Sequence, residues 1–212
     1  IGDSSVSLTA QGADGATLVG GDGIENSVRL AFMQIGRIDM NEDDKDKVQG
    51  TLADVAKGAD VLIGVSAPGV FTKEIMQSMA KDSVVFALAN PVPETTYDDA
   101  KEAGVAVAGT GRSDRPNQVN NVTVFPGVFR GAIDVRARAI TEDMKVAAVW
   151  AIVDLIDEKD LREDYVVPDA FDPRVAPAVA AAVAKVAIEK GLARKVVDPE
   201  VVKENTMKRV GR

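Results

Sequence analysis

Small and amide-bearing residues follow three apolar segments of the sequence, at the points where buried strands would end. The segments 60–65, 83–89 and 105–108 are rich in Val, Leu, Ile and Ala, as buried strands are. Small residues let a backbone approach a flat ligand, and an Asn amide offers a donor and an acceptor to a carboxamide, hydroxyl or carboxylate. The pattern therefore predicts a ligand site, although each loop alone is also compatible with an ordinary turn. The loops are Ser66-Ala67-Pro68-Gly69, Asn90-Pro91-Val92-Pro93 and Gly109-Thr110-Gly111-Arg112, and a fourth polar segment is Asn117-Gln118-Val119-Asn120-Asn121.

Helical segments alternate with these strands along the chain. Thr51 is a predicted N-cap with Asp54 three residues later, and helices are expected at 72–80 and 97–103. Continuous apolar strands separated by helices are typical of a parallel sheet covered on both faces, in which ligands bind beyond the carboxyl ends of the strands. The sequence predicts an α/β fold: a Rossmann-like, doubly wound, mostly parallel sheet. Its adjacent central strands are expected at 61–65, 84–89 and 105–108.

The first 50 residues and the C-terminal third are expected to differ from this central pattern. Short strands are predicted at 6–10 and 16–19, and the Gly clusters at 12–15 and 20–23 lack the full spacing of a dinucleotide fingerprint. Hairpin turns explain these clusters equally well. Helices are expected at 128–139 and 141–156, and the C-terminal helical extension is expected to contain a helix at 175–189 and a last one that begins at Asp198-Pro199-Glu200.

Composition excludes several kinds of chemistry. The 212 residues contain no His and no Cys and carry a net charge of -8. Without His there is no His-activated nucleophile and no His-ligated metal, and the acidic balance disfavours nucleic acid. No segment approaches the ~20 apolar residues of a membrane span. The absence of Cys fits a cytoplasmic location.

The carboxylates are interpreted as structural. Those at 39–46 alternate with Lys, which favours a solvated surface. Asp169 and Asp172 are expected to cap turns, and Arg130 is spaced for an ion pair with Asp134 on one helix. We therefore assign no catalytic residue and no metal ligand. The chain begins Ile1-Gly2-Asp3, without Met or a targeting segment, so we expect a piece of a longer protein or a processed product.

Five stretches in a fixed order together resemble the NAD(P)-binding domain of malic enzymes, particularly the bacterial and archaeal type. They lie within about 160 residues from Thr51 to the C-terminus. The resemblance implies an enzyme that decarboxylates L-malate oxidatively to pyruvate and CO2, reducing NAD or NADP with Mg2+ or Mn2+. The stretches are GADVLIGVSAPG (58–69), FALANPVPE (86–94), TGRSDRPNQVNN (110–121), FPGVFRGAIDVRAR (125–138) and VPDAFDPRVAPA (167–178).

The resemblance also implies roles for individual residues. Asn90 and Asn120 match amides that contact malate near the nicotinamide. The catalytic Tyr and Lys of the family and its acidic metal ligands belong to an N-terminal domain that has no counterpart here. The isolated chain is therefore expected to be inactive, and the full protein is expected to be a homo-oligomer. The residues implied in cofactor binding are Gly12, Ala13, Gly15, Ser66, Ala67, Gly69, Asn90 and Asn121.

The resulting domain division places the NAD(P)-binding domain at 1–163, with 1–50 atypical, and the helical extension at 164–212. Two other functions stay open at this point. One is a non-catalytic nucleotide-binding or regulatory module derived from the same family, which the missing catalytic residues would suit. The other is a different oxidoreductase with a related Rossmann domain, such as an amino-acid dehydrogenase.

Overall fold

The computed structural model describes residues 6–9, 16–19 and 51–210, which belong to two compact units. The first unit contains the described residues up to Val119 together with Arg162–Val166, and the second contains Asn120–Leu161 and the residues from Val167 onward. The domain boundary that the sequence analysis places at 163/164 stays a prediction. The predicted phosphate-loop residues Gly12, Ala13 and Gly15 lie outside the described residues.

The first unit is built on a five-stranded sheet in the order β1-β2-β3-β4-β5. The parallel pairing of β3 with β4 and of β4 with β5 confirms the predicted arrangement of the three apolar segments. The two N-terminal strands were also predicted, and they join the sheet in antiparallel pairings, so β5 is an edge strand of the described sheet and not a central one. The strands are β1 (Val6–Thr9), β2 (Ala16–Val19), β3 (Val61–Gly64), β4 (Val84–Ala87) and β5 (Val107–Thr110).

Three short helices connect these strands: α1 (Leu52–Ala56), α2 (Lys73–Gln77) and α3 (Tyr97–Glu102). Each begins after a Thr whose hydroxyl accepts a backbone N–H, so capping fixes the helix starts. At α1 the cap is reciprocal, because the Thr51 N–H donates to Asp54 Oδ2 at 2.8 Å. The apolar faces of the helices and the sheet form one core, which includes Leu62, Phe71, Met76, Val85 and Ala100.

The third parallel strand begins two residues later than predicted. Gly104 has a φ of +95°, and the N–H of Val105 still bonds to the carbonyl of Ala100, so Val105 completes the exit from α3. The strand then continues through Gly109 and Thr110, which were expected to form a turn. An apolar run alone does not distinguish a buried helix exit from a buried strand.

The described part of the second unit contains four α-helices: α4 (Phe125–Asp134), α5 (Glu142–Val153), α6 (Val175–Glu189) and α7 (Pro199–Val210). The Ala- and Val-rich α6 packs against each of the other three helices. Its buried residues include Val179, Ala180, Val183 and Ala184, which form the centre of the core. Within the described residues, no helix combines the length and apolarity needed to cross a membrane.

The bounds of α4 differ from the predicted 128–139. Pro126 lies in the first turn, where its missing N–H costs nothing, and the helix begins at Phe125. It ends at Asp134 because Arg136 adopts a left-handed conformation with φ of +51°. The predicted helix 128–139 placed Arg130, Arg136 and Arg138 on one helix, but Arg136 and Arg138 lie beyond the end of α4. The predicted pair of Arg130 and Asp134 is present, with Nε donating to Oδ2 at 2.8 Å.

Two glycines of α4 allow its close approach to α6, and this yields a stability prediction. A methyl group at Gly131 would collide with the carbonyl oxygen of Ala180, and one at Gly127 would lie 2.6 Å from Val179 Cβ. Gly131→Ala is therefore expected to destabilise the protein by about 1–3 kcal/mol in urea unfolding. Helix propensity alone would make Gly131→Ala more stable by about 1 kcal/mol. A lower free energy of unfolding for this variant would therefore show that the collision with α6 outweighs helix propensity.

The matched control for this substitution is Gly111→Ala. The nearest atoms to a methyl group there lie 3.8 Å away, which is ordinary contact distance. Its unfolding midpoint is expected to stay close to that of the unaltered protein. A Gly131→Ala variant more stable than this control would show that the two helices can separate freely.

Candidate cofactor site at the strand ends

The three parallel strands end side by side. Gly64 is paired with Ala87, and Ala87 is paired with Thr110, so the last residues of β3, β4 and β5 share one line across the sheet. The three loops singled out in the sequence therefore leave the sheet at the same edge. This is the edge at which open α/β sheets bind their ligands.

The loop after β3 carries the predicted cofactor residues Ser66, Ala67 and Gly69. The N–H of Ser66 donates to Glu94 Oε1 at 2.5 Å, and its hydroxyl donates to the same oxygen at 3.0 Å. Gly69 has a φ of +73°, and a methyl group added to it would have no atom within 4 Å. The loop is thus anchored at Ser66 and has an open backbone at Gly69, which suits close approach of a flat ligand.

The loop after β4 presents Asn90 at the same edge. Its side chain is exposed, and among the described residues Nδ2 reaches only the Leu88 carbonyl, at 3.5 Å. A methyl group at Gly111, in the loop after β5, would lie 3.8 Å from Asn90 Oδ1. The structure therefore brings Asn90 near the third loop and leaves its amide available for a carboxamide or carboxylate.

The loop after β5 is stabilised mainly by its own side chains. Arg112 donates from Nε and Nη2 to the two carboxylate oxygens of Asp114, both at 2.8 Å. These hydrogen bonds lower the pKa of Asp114 below its ordinary value and raise the pKa of Arg112. Both side chains are exposed, so the pair contributes little to stability and serves to shape the turn.

The polar segment 117–121 divides into parts with different roles. Asn117 is buried and bonded to the first unit on every side, so its amide is structural and not free for a ligand. Asn120 and Asn121 belong to the second unit, where both are exposed. Asn120 Oδ1 accepts the N–H of Val122 at 3.1 Å and caps a 3-10 turn at Asn121–Thr123.

Glu94 is the residue of this site that the sequence interpretation missed. It is completely buried and bonds both to Ser66 and, through Oε2, to the N–H of Ala89 at 3.0 Å. One signal was present, because Glu94 is the only charged residue between Asp82 and Asp98. An isolated acid in an apolar, proline-rich segment is unusual unless it is bonded.

The described residues do not fit a metal site. Among them, no three carboxylates are close enough together to hold an ion. Asp169 and Asp172 accept the N–H groups of Phe171 and Arg174, at 2.7 and 2.9 Å, which confirms the predicted capping role. The donors at the strand ends are backbone groups, a hydroxyl and amides, which suit an organic ligand better than a divalent cation.

The fold and these loops define the class of α/β domains that bind a nucleotide cofactor at the carboxyl edge of a parallel sheet. Comparison with known proteins identifies the family. Residues 32–188 match the family described as malic enzyme, NAD binding domain. This chain belongs to the malic enzyme family.

Individual relatives agree with this assignment. The bifunctional malic/malolactic enzyme of Bacillus subtilis is 62% identical over 168 residues, which are 79% of this chain and 40% of that protein. The NAD-dependent malic enzyme of Geobacillus stearothermophilus is 51% identical over 150 residues, covering 71% of this chain and 31% of that protein. The crystal structure of malic enzyme from Pyrococcus horikoshii superposes with a TM-score of 0.74 at 41% identity, covering 81% of this chain and 40% of that one. The chain thus spans well under half the length of these relatives.

Proposed function

We propose that this chain is the cofactor-binding part of a malic enzyme that oxidises L-malate to pyruvate and CO2 with reduction of NAD or NADP. The observation that carries the proposal is the common edge of β3, β4 and β5, where an anchored loop and an exposed amide leave the sheet together. Membership of the malic enzyme family supports the choice of malate over other hydroxy acids.

Each loop has a role in this proposal. The backbone of Ser66, Ala67 and Gly69 lies along the cofactor, and the Asn90 amide orients the nicotinamide and the substrate. Asn120 and Asn121 keep the substrate-binding and cofactor-binding roles that the family resemblance implies. A bound nicotinamide would supply the hydride acceptor for the oxidation of malate, and the residues of this chain would hold it in place.

The remaining chemistry is proposed to come from residues outside this chain. The sequence has no His, and the described residues offer no set of ligands for Mg2+ or Mn2+. Proton transfer and metal binding are therefore assigned to the part of the relatives that this chain does not match. Assembly as a homo-oligomer and a cytoplasmic location belong to the same proposal.

The direct test is formation of NAD(P)H from L-malate with Mg2+ or Mn2+. An intact protein that contains this chain is expected to catalyse it, and purified residues 1–212 are not. Turnover by residues 1–212 alone would mean that the acid–base and metal-binding groups lie within this sequence. Cofactor binding without malate turnover by the intact protein would favour a non-catalytic nucleotide-binding module.

Cofactor affinity of residues 1–212 gives a second prediction. The pyrophosphate half of such a site depends on glycines and on free N–H groups at a helix N-terminus, and here it is assigned to Gly12-Ala13-Asp14-Gly15. Asp14 brings a negative charge there, and the net charge of -8 gives no compensating attraction. Isothermal titration calorimetry is expected to give a Kd of about 0.1 mM or weaker, roughly -5.5 kcal/mol. Low-micromolar binding would reveal a better phosphate loop in residues 1–35.

A further inference from the structure

Glu94 connects two loops of the candidate site through a single buried carboxylate. Oε1 accepts the backbone N–H and the hydroxyl of Ser66, and Oε2 accepts the N–H of Ala89. Ser66 begins the loop that we assign to the cofactor, and Ala89 directly precedes Asn90. One side chain thus fixes the distance between the cofactor loop and the amide that faces the ligand.

The backbone around Glu94 strengthens this connection. The N–H of Phe71 donates to the Glu94 carbonyl at 3.2 Å, and the N–H of Gly69 donates to the Pro93 carbonyl at 3.4 Å. The segment 93–94 therefore holds both ends of the loop 66–69. At Gly64, the last residue of β3, a methyl group would lie 2.6 Å from Glu94 Cδ, so the strand leaves room for the carboxylate only because it ends in Gly.

Both carboxylate oxygens of Glu94 act as hydrogen-bond acceptors. All three partners are donors, and within the described residues no Lys or Arg forms an ion pair with Glu94. A buried carboxylate is costly unless donors compensate it. A Gln amide in its place would direct its NH2 group towards the backbone N–H of either Ser66 or Ala89, where two donors would face each other. The charge is therefore matched to the local donors and is not part of an ion-pair network.

We infer that Glu94 is a positioning residue for the cofactor, which sets the loop 66–69 relative to Asn90. The inference rests on the proposed function, since it takes that loop and that amide as the cofactor site. Glu94 does not contact the ligand itself in this scheme. It acts through Ser66 and Ala89, so its loss would displace the loop without removing any group that binds.

The test is Glu94→Gln in an intact protein that contains this chain, with Glu102→Gln as the matched control. Glu102 is exposed and bonded only to Lys73 among the described side chains, at 3.3 Å. Glu94→Gln is expected to raise the KM for NAD(P) by about 10-fold or more, since a hydrogen bond to a charged group is lost. The KM for NAD(P) of Glu102→Gln is expected to stay unchanged.

Kinetics and thermal stability must be measured together, because a purely structural role would lower Tm alone. All assays are run well below the Tm of each variant. A lower Tm with an unchanged KM for NAD(P) would overturn the inference, as would equal KM values for Glu94→Gln and Glu102→Gln. Glu94→Asp retains the charge but is too short to reach both loops, and it is expected to raise the KM less than Glu94→Gln does.

Two further variants keep the inference testable if Glu94→Gln does not fold. Ser66→Ala removes the hydroxyl donor but keeps the N–H bond to Glu94. Gly64→Ala places a methyl group 2.5 Å from Phe71 Cζ and 2.6 Å from Glu94 Cδ, so it pushes against the ring and the carboxylate. Both are expected to raise the KM for NAD(P), and unchanged values in both would contradict a positioning role. An unaltered protein that neither binds NAD(P) nor oxidises malate would instead refute the proposed function, and the inference with it.

Discussion

Asn90→Ala or Asn120→Ala in an intact protein that contains this chain is expected to lower kcat/KM for malate by about 5- to 150-fold. The range corresponds to the loss of one ligand-facing amide, about 1–3 kcal/mol. Asn90 is exposed, and its side chain makes one long contact, to Leu88, within the part of the chain that the structure describes, so its removal takes little from the fold. The loss is expected to appear in steady-state kinetics while the unfolding midpoint stays near that of the unaltered protein.

The matched control is the same substitution at Asn205, an exposed position on α7. Asn205→Ala is expected to leave both kinetics and stability unchanged. Asn120 needs a stability measurement beside the kinetics, because its Oδ1 caps the 3-10 turn at Asn121–Thr123. If Asn90→Ala and Asn120→Ala both retain full activity, these residues serve only as turn formers.

The elements with local signals could be predicted from the sequence. The apolar runs at 61–65 and 84–89 located β3 and β4, and the predicted N-cap Thr51 marked the start of α1. The Ala- and Val-rich run at 175–189 predicted α6 with the bounds that the structure has. In each case, the residues that decide the structure lie within a few positions of the element itself.

The sequence-based predictions missed the role of Glu94 and misplaced the end of α4. The role of Glu94 depends on Ser66, which is 28 residues away, and no local pattern shows that contact. The left-handed conformation of Arg136, which ends α4, is unusual for a non-glycine residue and has no signature in the sequence. The sequence located the loops of the candidate site, but the bonds that hold the loops together depend on the tertiary structure.

Asn117 is the clearest case of a polar residue whose role depends on the fold. It is 4% exposed, and Nδ2 donates to the carbonyls of Ala108 and Glu163, at 3.0 and 2.8 Å. Oδ1 accepts the N–H of Val166 at 2.9 Å. One amide thus joins β5 to the segment 162–166, which returns to the first unit from far along the chain.

Asn117→Ala is expected to lower the free energy of unfolding by about 3 kcal/mol or more, measured by urea unfolding followed by circular dichroism. The substitution leaves two carbonyls and one N–H of the backbone without their partner, and it places Ala at a φ of +52°. Asn117→Gly removes the same side chain but accepts this conformation, so it is expected to be less destabilising by roughly 1 kcal/mol. Gln118→Ala loses one bond, from Nε2 to the Gly111 carbonyl at 3.2 Å, and is expected to cost about 1 kcal/mol. Equal midpoints for Asn117→Ala and Gln118→Ala would show that the segment 162–166 is held to β5 by other contacts.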